Sequence, residues 1–485
     1  MAILSRRTFL CRAVHPTLAA VVLSACGSRS SPSGASTPAA SSGTTAAVEA
    51  ATATFAASRS IAPSAINNSS RLAVSAKRVT LTFFRWLVTP DIMKALVYEP
   101  VARFEHAHPS IHVSVIATPY GSAYIGKLLA MIAGGVPPDV LGLPGPGAIL
   151  PELASKGLLT DLGPLIARDA KVVQPQDFYP QALQVGQWQG KQYGLPSSTI
   201  STAVLVYNAD ALKKAGITQT PAQLYDAGKW TWNDFTQVAR QATMQTNGRP
   251  DQYGFLVPFS TQMGSSFIWE AGGHILNTQR TKCLLDTPQS IAGLQFLYDL
   301  QHKEQVGPPP ALQGSASPFG QFTSGRLAMT LNWAHTVDIT YGAVPFAWDI
   351  APLPVGPQGE VVNDNFNNTG LTKASKHQET GWTFIKYLTS GPVYLEKRRT
   401  ALPPRRSVYQ AWLKWMEGLH RPKNVRYLQI LRKHSRSLPY SPVWPQISVA
   451  WSKWSSYLAD GSRSPASVAS SLTTAIDAIL QHGAT

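Results

Sequence analysis

The first patterned segment of the chain opens with Val79-Thr80-Leu81-Thr82-Phe83-Phe84, a β-branched and aromatic run typical of a strand. Apolar residues then recur three and four positions apart up to Phe104, which predicts a helix. A second strand pattern covers 111–116, a second helix pattern covers 124–132, and a third strand pattern covers 137–143. Strand–helix–strand–helix–strand predicts a parallel sheet with right-handed crossovers, and therefore an α/β fold.

The ends of these predicted strands are the first places to look for a site, because open α/β sheets bind ligands at the carboxyl ends of their strands. The ends fall at Trp86, at 118–122 and at 143–147. None of them forms a phosphate-binding loop, since Pro144 and Pro146 remove backbone amides that such a loop requires. Further on, the sequence predicts the elements at 188–196 (hairpin), 203–208 (strand), and 381–388, 408–417 and 468–480 (helices).

Length and composition predict two or three globular domains in the chain of 485 residues. Hydrophobic residues make up 44% and charged residues 14%, which excludes a coiled coil and a wholly disordered chain. The 42 Lys and Arg exceed the 26 Asp and Glu, and 13 of the basic residues lie between 386 and 436. That basic region is either a set of solvated helix faces or a surface for an anionic partner. Zinc-finger spacing and RNA-binding motifs are missing, so no nucleic-acid partner is predicted.

The N-terminus sets the predicted compartment. Ser5-Arg6-Arg7-Thr8-Phe9-Leu10 resembles a twin-arginine export signal, although ordinary secretory signals also carry paired arginines. Leu23-Ser24-Ala25-Cys26 resembles a bacterial lipobox, in which the cysteine sulfur takes a diacylglyceryl group. We therefore expect 1–25 to be a signal peptide. Lipidated Cys26 then anchors the protein to the outer face of the bacterial cell membrane.

The segment after the lipobox is composed differently from the rest. Residues 26–76 are rich in Ser, Thr, Ala and Pro, cannot bury enough apolar surface to fold, and are predicted to form a disordered tether. Only Cys11, Cys26 and Cys283 are present, which excludes four-cysteine zinc and disulfide frameworks. Cys283 is expected to be a small apolar core residue.

Six blocks behind this leader resemble, in order, the sequence pattern of the extracellular solute-binding proteins of ABC importers, the family of maltose- and glycerol-phosphate-binding proteins. The blocks are 104–113, 127–140, 188–196, 205–216, 325–329 and 375–388. One departure is His108, where the family usually has Asn. The resemblance covers about residues 78 to 485.

This resemblance implies a two-lobed periplasmic-binding-protein-like α/β fold, with a ligand cleft between the lobes and multiple crossing segments. The crossings are expected near 195–199, 353–366 and 399–404. Lobe 1 is then 78–195 plus 362–399, and lobe 2 is 199–352 plus 404–485.

The same resemblance implies a monomeric receptor that closes on a sugar, a mono- or oligosaccharide, and delivers it to the permease subunits of an ABC importer. The alternatives are a receptor for an anionic solute such as a glycerol phosphodiester, or an extracytoplasmic carbohydrate-active enzyme. No catalytic motif or marked carboxylate pair supports the enzyme, and no cofactor motif is present. Pro109 separates His108 from His112, so no metal site is predicted. Ligand identity, export route and permease stay open.

A sugar site needs aromatic platforms for C–H faces and short polar groups for hydroxyls. The predicted ligand-binding residues are Trp86, Trp269 and Trp333 as platforms, Ser122, Ser198, Asn332 and Asn365 as polar contacts, and Arg405 for hydroxyls or an anion. For each of them a purely structural role, in the core or on the surface, is the open alternative.

Overall fold

The computed structural model describes residues 78–88, 90–119, 121–145, 149–197, 201–247, 249–310, 318–337, 344–396 and 402–483. The signal peptide, Cys26 and the tether predicted for residues 1–76 lie outside these ranges. Among the helices of the described ranges, none combines the length and the apolarity needed to cross a bilayer.

The strands, numbered along the chain, are β1 Val79–Trp86, β2 Ile111–Thr118, β3 Val140–Leu143, β4 Gln187–Trp188, β5 Lys191–Gln192, β6 Leu195–Pro196, β7 Ser201–Asn208, β8 Met244–Thr246, β9 Arg249–Phe255, β10 Leu327–Trp333, β11 Trp348–Ala351, β12 Val362–Asn365, β13 Asn368–Leu371 and β14 Ser435–Arg436.

The α-helices are α1 Pro90–Met93, α2 Glu99–Ala107, α3 Ser122–Ala133, α4 Ile149–Ser155, α5 Gly163–Arg168, α6 Ala170–Val173, α7 Pro180–Gln184, α8 Ala209–Lys214, α9 Pro221–Asp226, α10 Trp232–Ala242, α11 Thr261–Glu270, α12 Pro288–His302, α13 Pro318–Thr323, α14 Gln378–Leu388, α15 Gly391–Glu396, α16 Tyr409–Glu417, α17 Arg426–Lys433, α18 Trp444–Ala459 and α19 Pro465–His482. A π-helical turn at Lys94–Tyr98 joins α1 to α2, and 3₁₀ turns lie at Pro175–Asp177 and Ala334–Thr336.

The first sheet has the strand order β2-β1-β3-β13-β6, with β1 parallel to both β2 and β3. Successive side chains of a strand point to opposite faces of the sheet, and β1 contributes to a separate core on each face. Leu81 and Phe83 pack on one face with Phe104 and with Trp382 of α14. Phe84 and Trp86 pack on the other face with residues of α3 and α4. The predicted parallel sheet with covering helices is therefore confirmed.

The second sheet has the order β14-β12-β7-β10-β9-β8, and β11 also pairs with β7. Its central strand β7 is a continuous buried run from Thr202 to Asn208, as expected of a strand covered on both faces. Trp230, Phe235 and Phe255 fill the larger core of this lobe. A smaller core joins α11 to α18 and α19 and contains Cys283, which is fully buried as predicted.

Polar residues fix the helices of the second lobe at their N-termini. Thr231 accepts a hydrogen bond from the amide of Asp234, whose carboxylate accepts one from the Thr231 amide. Thr220 and Gln223 form the same reciprocal capping box ahead of α9. Each box satisfies two amides that a helix start otherwise leaves without partners.

The chain passes between the sheets between Ser197 and Ser201, between Asn365 and Asn368, and again after Glu396. The sequence placed 362–365 in lobe 1, and this is wrong. Strand β12 pairs with β7 through Asp364–Thr202 and Asn365–Ser201, so it belongs to the second sheet. Its run of Asn and Asp has no apolar periodicity, and nothing local tells which of two adjoining sheets it joins.

Candidate functional site

The carboxyl ends of the first sheet's parallel strands lie at the level where the chain crosses between the lobes. Leu143, the last residue of β3, pairs with Asn368, the first residue of β13 after the crossing. Because β1 and β2 run parallel to β3, Trp86 and Thr118 end at the same edge. This edge therefore faces the second lobe.

The second sheet presents a matching edge. Asn365 at the end of β12 pairs with Ser201, and Trp333 at the end of β10 pairs with Ala203, so both ends lie next to a crossing. Strand β9 runs parallel to β10, which brings the residues after Phe255 to the same edge. The two carboxyl edges thus face each other, as the rule for ligand sites in open sheets requires.

A cavity of about 380 Å³ opens at this edge of the second lobe, and we call it the strand-end cavity. The rings of Phe259 and Trp451 line it, and Trp451 is held in place because its Nε1 donates to the Phe259 carbonyl oxygen at 3.0 Å. The rest of the lining is partly apolar, from Leu256, Val257, Pro258, Met263, Leu331 and Ala459, and partly hydroxyl-bearing, from Ser260, Thr261, Thr330, Ser448, Ser452, Ser455 and Ser456. Aromatic faces beside many hydroxyls are suited to an uncharged polyhydroxylated ligand.

Two predicted residues lie beside this cavity. Leu331 lines it, and Trp333 is two positions further along β10, on the same face of the strand. Trp333 is only half-buried, and it packs against the large core of the lobe. Asn332 points to the opposite face, and its Oδ1 accepts a hydrogen bond from the Trp333 amide at 2.8 Å. Trp333 thus lies close to the strand-end cavity without being one of its lining residues, and its contact with a ligand stays a prediction.

A larger cavity of about 610 Å³ has walls from both lobes, and we call it the hinge cavity. Gly145 and Asn368 line it from the first lobe, and Asp364 and Arg436 line it from the second. It lies on the β14 side of the second sheet, whereas β10 and the strand-end cavity lie on the other side of β7 and β12. Its lining contains no Phe or Trp among the described residues, so it lacks the platforms of the strand-end cavity.

Trp86 is buried at the carboxyl end of β1. The Arg85 guanidinium carbon lies 4.3 Å from the centre of the Trp86 ring, and the side chain packs in the core between the sheet and α3 and α4. Burial lowers the pKa of Arg85 to about 10. The position is at the predicted edge, and contact of Trp86 with a ligand stays a prediction.

Trp269 and Asn365 lie on the hinge-cavity side of the crossing strands. Trp269 is buried in the smaller core of the second lobe, with the Arg436 guanidinium carbon 5.0 Å from its ring centre. Asn365 is buried against Gly145, where any Cβ would overlap the Asn365 Oδ1 atom. Neither residue lines the strand-end cavity as described, and their ligand contacts remain predictions.

Arg405 is buried, and all three of its guanidinium nitrogens donate to atoms of the first lobe. Nε donates to the Thr389 carbonyl at 2.7 Å, Nη2 to the Val173 carbonyl at 2.8 Å, and Nη1 to Asp177 Oδ2 at 3.2 Å. Burial alone would raise the pKa of Asp177, but hydrogen bonds from Ser407 and Arg405 hold that pKa below its ordinary value. Arg405 thus fastens the chain after the third crossing, and its predicted ligand contact stays untested.

The last two predicted ligand contacts lie outside the part of the chain that the structure describes. Ser198 lies outside the described residues, and Ser122 begins α3 with a side chain that is likewise outside them. The sequence did not single out Phe259 and Trp451, which line the strand-end cavity. Phe259 follows the end of β9, so the carboxyl-end rule could have indicated it. Trp451 lies in α18, nearly two hundred residues away, with no local signal. Within the described ranges, no cluster of His, Cys, Asp or Glu could hold a metal ion.

Comparison with known proteins agrees with this geometry. Residues 89–391 match the family model of the bacterial extracellular solute-binding proteins. The chain belongs to this family. The family resemblance seen in the sequence is therefore confirmed, and so is the prediction of a binding protein rather than an enzyme, because solute-binding proteins bind and do not catalyse.

Two curated relatives are similar to parts of the solute-binding chain. The arabinooligosaccharide-binding protein of Bacillus subtilis (strain 168) is 26% identical over 316 residues, which is 60% of this chain and 65% of that protein. The protein of the same name from Halalkalibacterium halodurans is 25% identical over 235 residues, 45% of this chain and 49% of that protein. The chain thus spans less than two thirds of the length of the curated relatives it matches.

Solved structures share the fold. The ABC substrate-binding protein Lmo0181 from Listeria monocytogenes, in complex with cycloalternan, superposes with a TM-score of 0.72 at 23% identity, covering 84% of this chain and 99% of that one. The sugar-binding protein MalE from Xanthomonas citri gives a TM-score of 0.69 at 26% identity, covering 84% and 98%. These likenesses confirm the two-lobed periplasmic-binding-protein-like fold.

Proposed function

We propose that this solute-binding protein is the receptor of an ABC importer and binds a saccharide between the facing carboxyl edges of its two sheets. The observation that carries the proposal is the strand-end cavity of the second lobe, in which two aromatic residues and a set of hydroxyl-bearing residues lie at the carboxyl end of β9, the edge that faces the first lobe. The family match supports the receptor role. The names of the curated relatives and of MalE support a sugar as the class of ligand.

The cavity chemistry favours a neutral sugar over an anion. Phe259 and Trp451 offer flat apolar surfaces for C–H faces, and the serine hydroxyls both donate and accept hydrogen bonds. No Arg or Lys lines this cavity in the described part of the chain. A volume of about 380 Å³ lies at the lower end of the range for small-molecule sites.

Lobe closure is the step that links binding to transport. In this proposal lobe 1 comprises 78–197 and 368–396, and lobe 2 comprises 201–365 and 402–483. A sugar that touches both lobes binds the closed arrangement more tightly than the open one, so it shifts the population toward the closed form. The monomeric closed form then docks on the permease subunits and releases the sugar to them.

Attachment to the membrane is a separate part of the proposal. Export of the chain and lipidation of Cys26 would hold the receptor outside the cytoplasm, close to the permease. Metabolic labelling with radioactive palmitate should mark the wild-type chain and not the Cys26→Ser variant, while the Cys11→Ser variant keeps the label. Equal labelling of all three chains would contradict lipidation at Cys26.

The sugar site is tested by calorimetric titration of the purified full chain with arabinotriose, maltotriose and their disaccharides. We expect one series to bind with a micromolar Kd, and Phe259→Ala and Trp333→Ala each to weaken it about tenfold or more, because each removes an aromatic platform. Trp454→Ala is the matched control, since Trp454 lies on the same helix as Trp451 but does not line the cavity.

Two results would overturn the proposal. Binding that survives both Phe259→Ala and Trp333→Ala would place the sugar elsewhere. Binding of phosphorylated solutes alone, from a panel that includes glycerophosphodiesters, would replace the saccharide by the anionic solute. Light scattering of the same samples should give the mass of a monomer with and without ligand.

A further inference from the structure

The hinge cavity carries charge that the proposed sugar site does not need. Arg436 and Arg280, both from the second lobe, line it. Neither forms an ion pair with a carboxylate in the part of the chain that the structure describes. Two guanidinium groups thus face one cavity whose described lining holds a single carboxyl group, that of Asp364, which is not within ion-pair distance of either arginine.

Both guanidinium groups are held in place by neighbouring rings. Arg436 Nη2 lies 2.9 Å from His274 Nδ1, and its guanidinium carbon lies 5.0 Å from the centre of the Trp269 ring. The Arg280 guanidinium carbon lies 5.4 Å from the ring centre of Trp188, which belongs to the first lobe. Stacking of this kind orients the guanidinium plane and leaves its N–H groups directed sideways, where they can bind a carboxylate in bidentate fashion.

The rest of the lining suits hydroxyl groups. Gln181, Gln184 and Asn368 offer amides to the cavity, and Tyr440 adds a phenol. Three buried acceptors lack a hydrogen-bond donor among the described residues: Gln181 Oε1, Asn368 Oδ1 and Asp364 Oδ2. Asn368 and Asp364 are only 2% and 1% exposed, so an unpaired oxygen there is costly unless a ligand donates to it.

We propose that the hinge cavity is a second ligand site and binds an acidic saccharide, a polyhydroxylated molecule with one or more carboxylates of the uronic-acid type. Arg436 and Arg280 bind the carboxylate, and the amides and the Asp364 carboxyl accept hydrogen bonds from the hydroxyls. The cavity volume of about 610 Å³ accommodates a di- or trisaccharide. The site is distinct from the strand-end cavity, so the test of this proposal does not depend on the proposed sugar site.

Among the described residues that line the hinge cavity, Asp364 is the one acidic residue, and its charge restricts which ligands can bind. Its Oδ1 accepts a short hydrogen bond from the Ser437 hydroxyl. Its charge opposes an anion bound beside it. Replacement by Asn keeps the acceptor oxygen and removes this repulsion, so Asp364→Asn should bind the acid more tightly.

The test is calorimetric titration of the purified full chain with trigalacturonate and, separately, with the neutral trisaccharide galactotriose and with inorganic phosphate. We expect trigalacturonate to bind at least tenfold more tightly than either of the other two, and its Kd to rise with salt. Arg436→Gln and Arg280→Gln should each weaken it ten- to hundredfold, since each removes charge-assisted hydrogen bonds. Arg280 lies on an exposed loop, so its replacement does not endanger the fold.

Arg463→Gln is the matched control, because Arg463 also stacks on a tryptophan of the second lobe, Trp454, but lies outside the cavity. Trigalacturonate binding should be unchanged in Arg463→Gln and in Phe259→Ala. No binding of trigalacturonate, or equal binding of galactotriose or phosphate, would overturn the proposal. Loss of binding in Phe259→Ala with retention in Arg280→Gln would also overturn it, because the acid would then occupy the strand-end cavity.

Discussion

At the scale of single residues, Asp364 shows how the crossing strands shape the chemistry between the lobes. Its carboxyl group is buried at the end of β12, and burial raises its pKa from 3.8 to about 6, although the Ser437 and Ser435 hydroxyls oppose the shift. The folded state therefore holds the proton at a pH where the unfolded chain has released it. Between about pH 4 and pH 6 the folded state binds more protons, so the free energy of unfolding falls as pH rises.

We predict that Asp364→Asn raises the free energy of unfolding at pH 7.5 and flattens its pH dependence. A pKa displaced by about two units corresponds to a stability change on the order of 3 kcal/mol at most. Urea unfolding at pH 4 and pH 7.5 measures it, with Asp91→Asn as control because Asp91 is exposed. An equal loss of stability from pH 4 to pH 7.5 in wild type and Asp364→Asn would show that Asp364 is not responsible.

A second prediction tests whether the side chain of Arg405 stabilises the fold or contacts the ligand. We expect Arg405→Ala to lower the free energy of unfolding by about 2–4 kcal/mol, because it removes three hydrogen bonds and leaves two buried carbonyls unpaired. The sugar Kd should change less than twofold. Denaturant unfolding and calorimetric titration of the same variant give both numbers. A tenfold weaker Kd with unchanged stability would restore the ligand contact that the sequence predicted.

Residue roles were the least predictable part of this chain, and Trp269 shows why. A tryptophan in an aromatic helix near a predicted cleft suits a sugar platform and a core position equally well. The surroundings of Trp269 depend on α18 and α19, far along the sequence, so no local pattern could separate the two roles. The position of Trp333 at the carboxyl end of a strand was predictable, and open sheets place ligands at such ends, but its contact with a ligand stays a prediction. Local sequence therefore located the edge and not the individual contacts.

At the scale of elements, two glycines, one in α14 and one in α3, show how closely these helices pack on the first sheet. A Cβ on Gly381 of α14 would lie 2.6 Å from Leu371 Cδ2 and 3.3 Å from Val140 Cγ2. A Cβ on Gly126 of α3 would meet nothing within 4 Å. Gly381 thus allows α14 to pack closely on the sheet, whereas Gly126 makes no such close contact and only lowers the stability of α3.

We predict opposite effects of the same substitution at these two positions. Gly381→Ala should destabilise by about 1–3 kcal/mol, because the extra methyl overpacks a filled core. Gly126→Ala should stabilise by up to about 1 kcal/mol, because alanine has the higher helix propensity and restricts the unfolded chain. Thermal unfolding of both variants beside wild type is the measurement. Stabilisation by Gly381→Ala would contradict close packing of α14 on the sheet.

Elements were predictable where periodicity was strong. The strand expected at 79–84 is Val79–Trp86, the helix expected at 468–480 is Pro465–His482, and the hairpin after Trp188 is formed by β4 and β5. Strand β12 was assigned to the wrong sheet, because pairing with β7 is a long-range choice that a short polar strand does not encode. The pattern of one segment thus predicts its type, while its partner depends on the whole topology.

At the scale of the whole molecule, the crossing segments connect the two lobes. At the crossing between β12 and β13, both strand ends are paired within a sheet, Asn365 with Ser201 and Asn368 with Leu143. In the proposed closing movement, we expect this pairing to keep Asn365 with the second sheet and Asn368 with the first.

The last prediction concerns closure. We expect cysteines introduced at Val136 in lobe 1 and Lys229 in lobe 2, both exposed, to carry a fluorophore pair whose transfer efficiency changes with saturating sugar. Cys11 and Cys26 are replaced by Ser, and buried Cys283 is retained. The change should follow the calorimetric isotherm and require about tenfold more sugar in Trp333→Ala. A Val136–Lys156 pair within lobe 1 should not respond. If the transfer efficiency of the Val136–Lys229 pair does not change at saturating sugar, the sugar binds the open and closed forms equally, because only a difference in affinity shifts such an equilibrium.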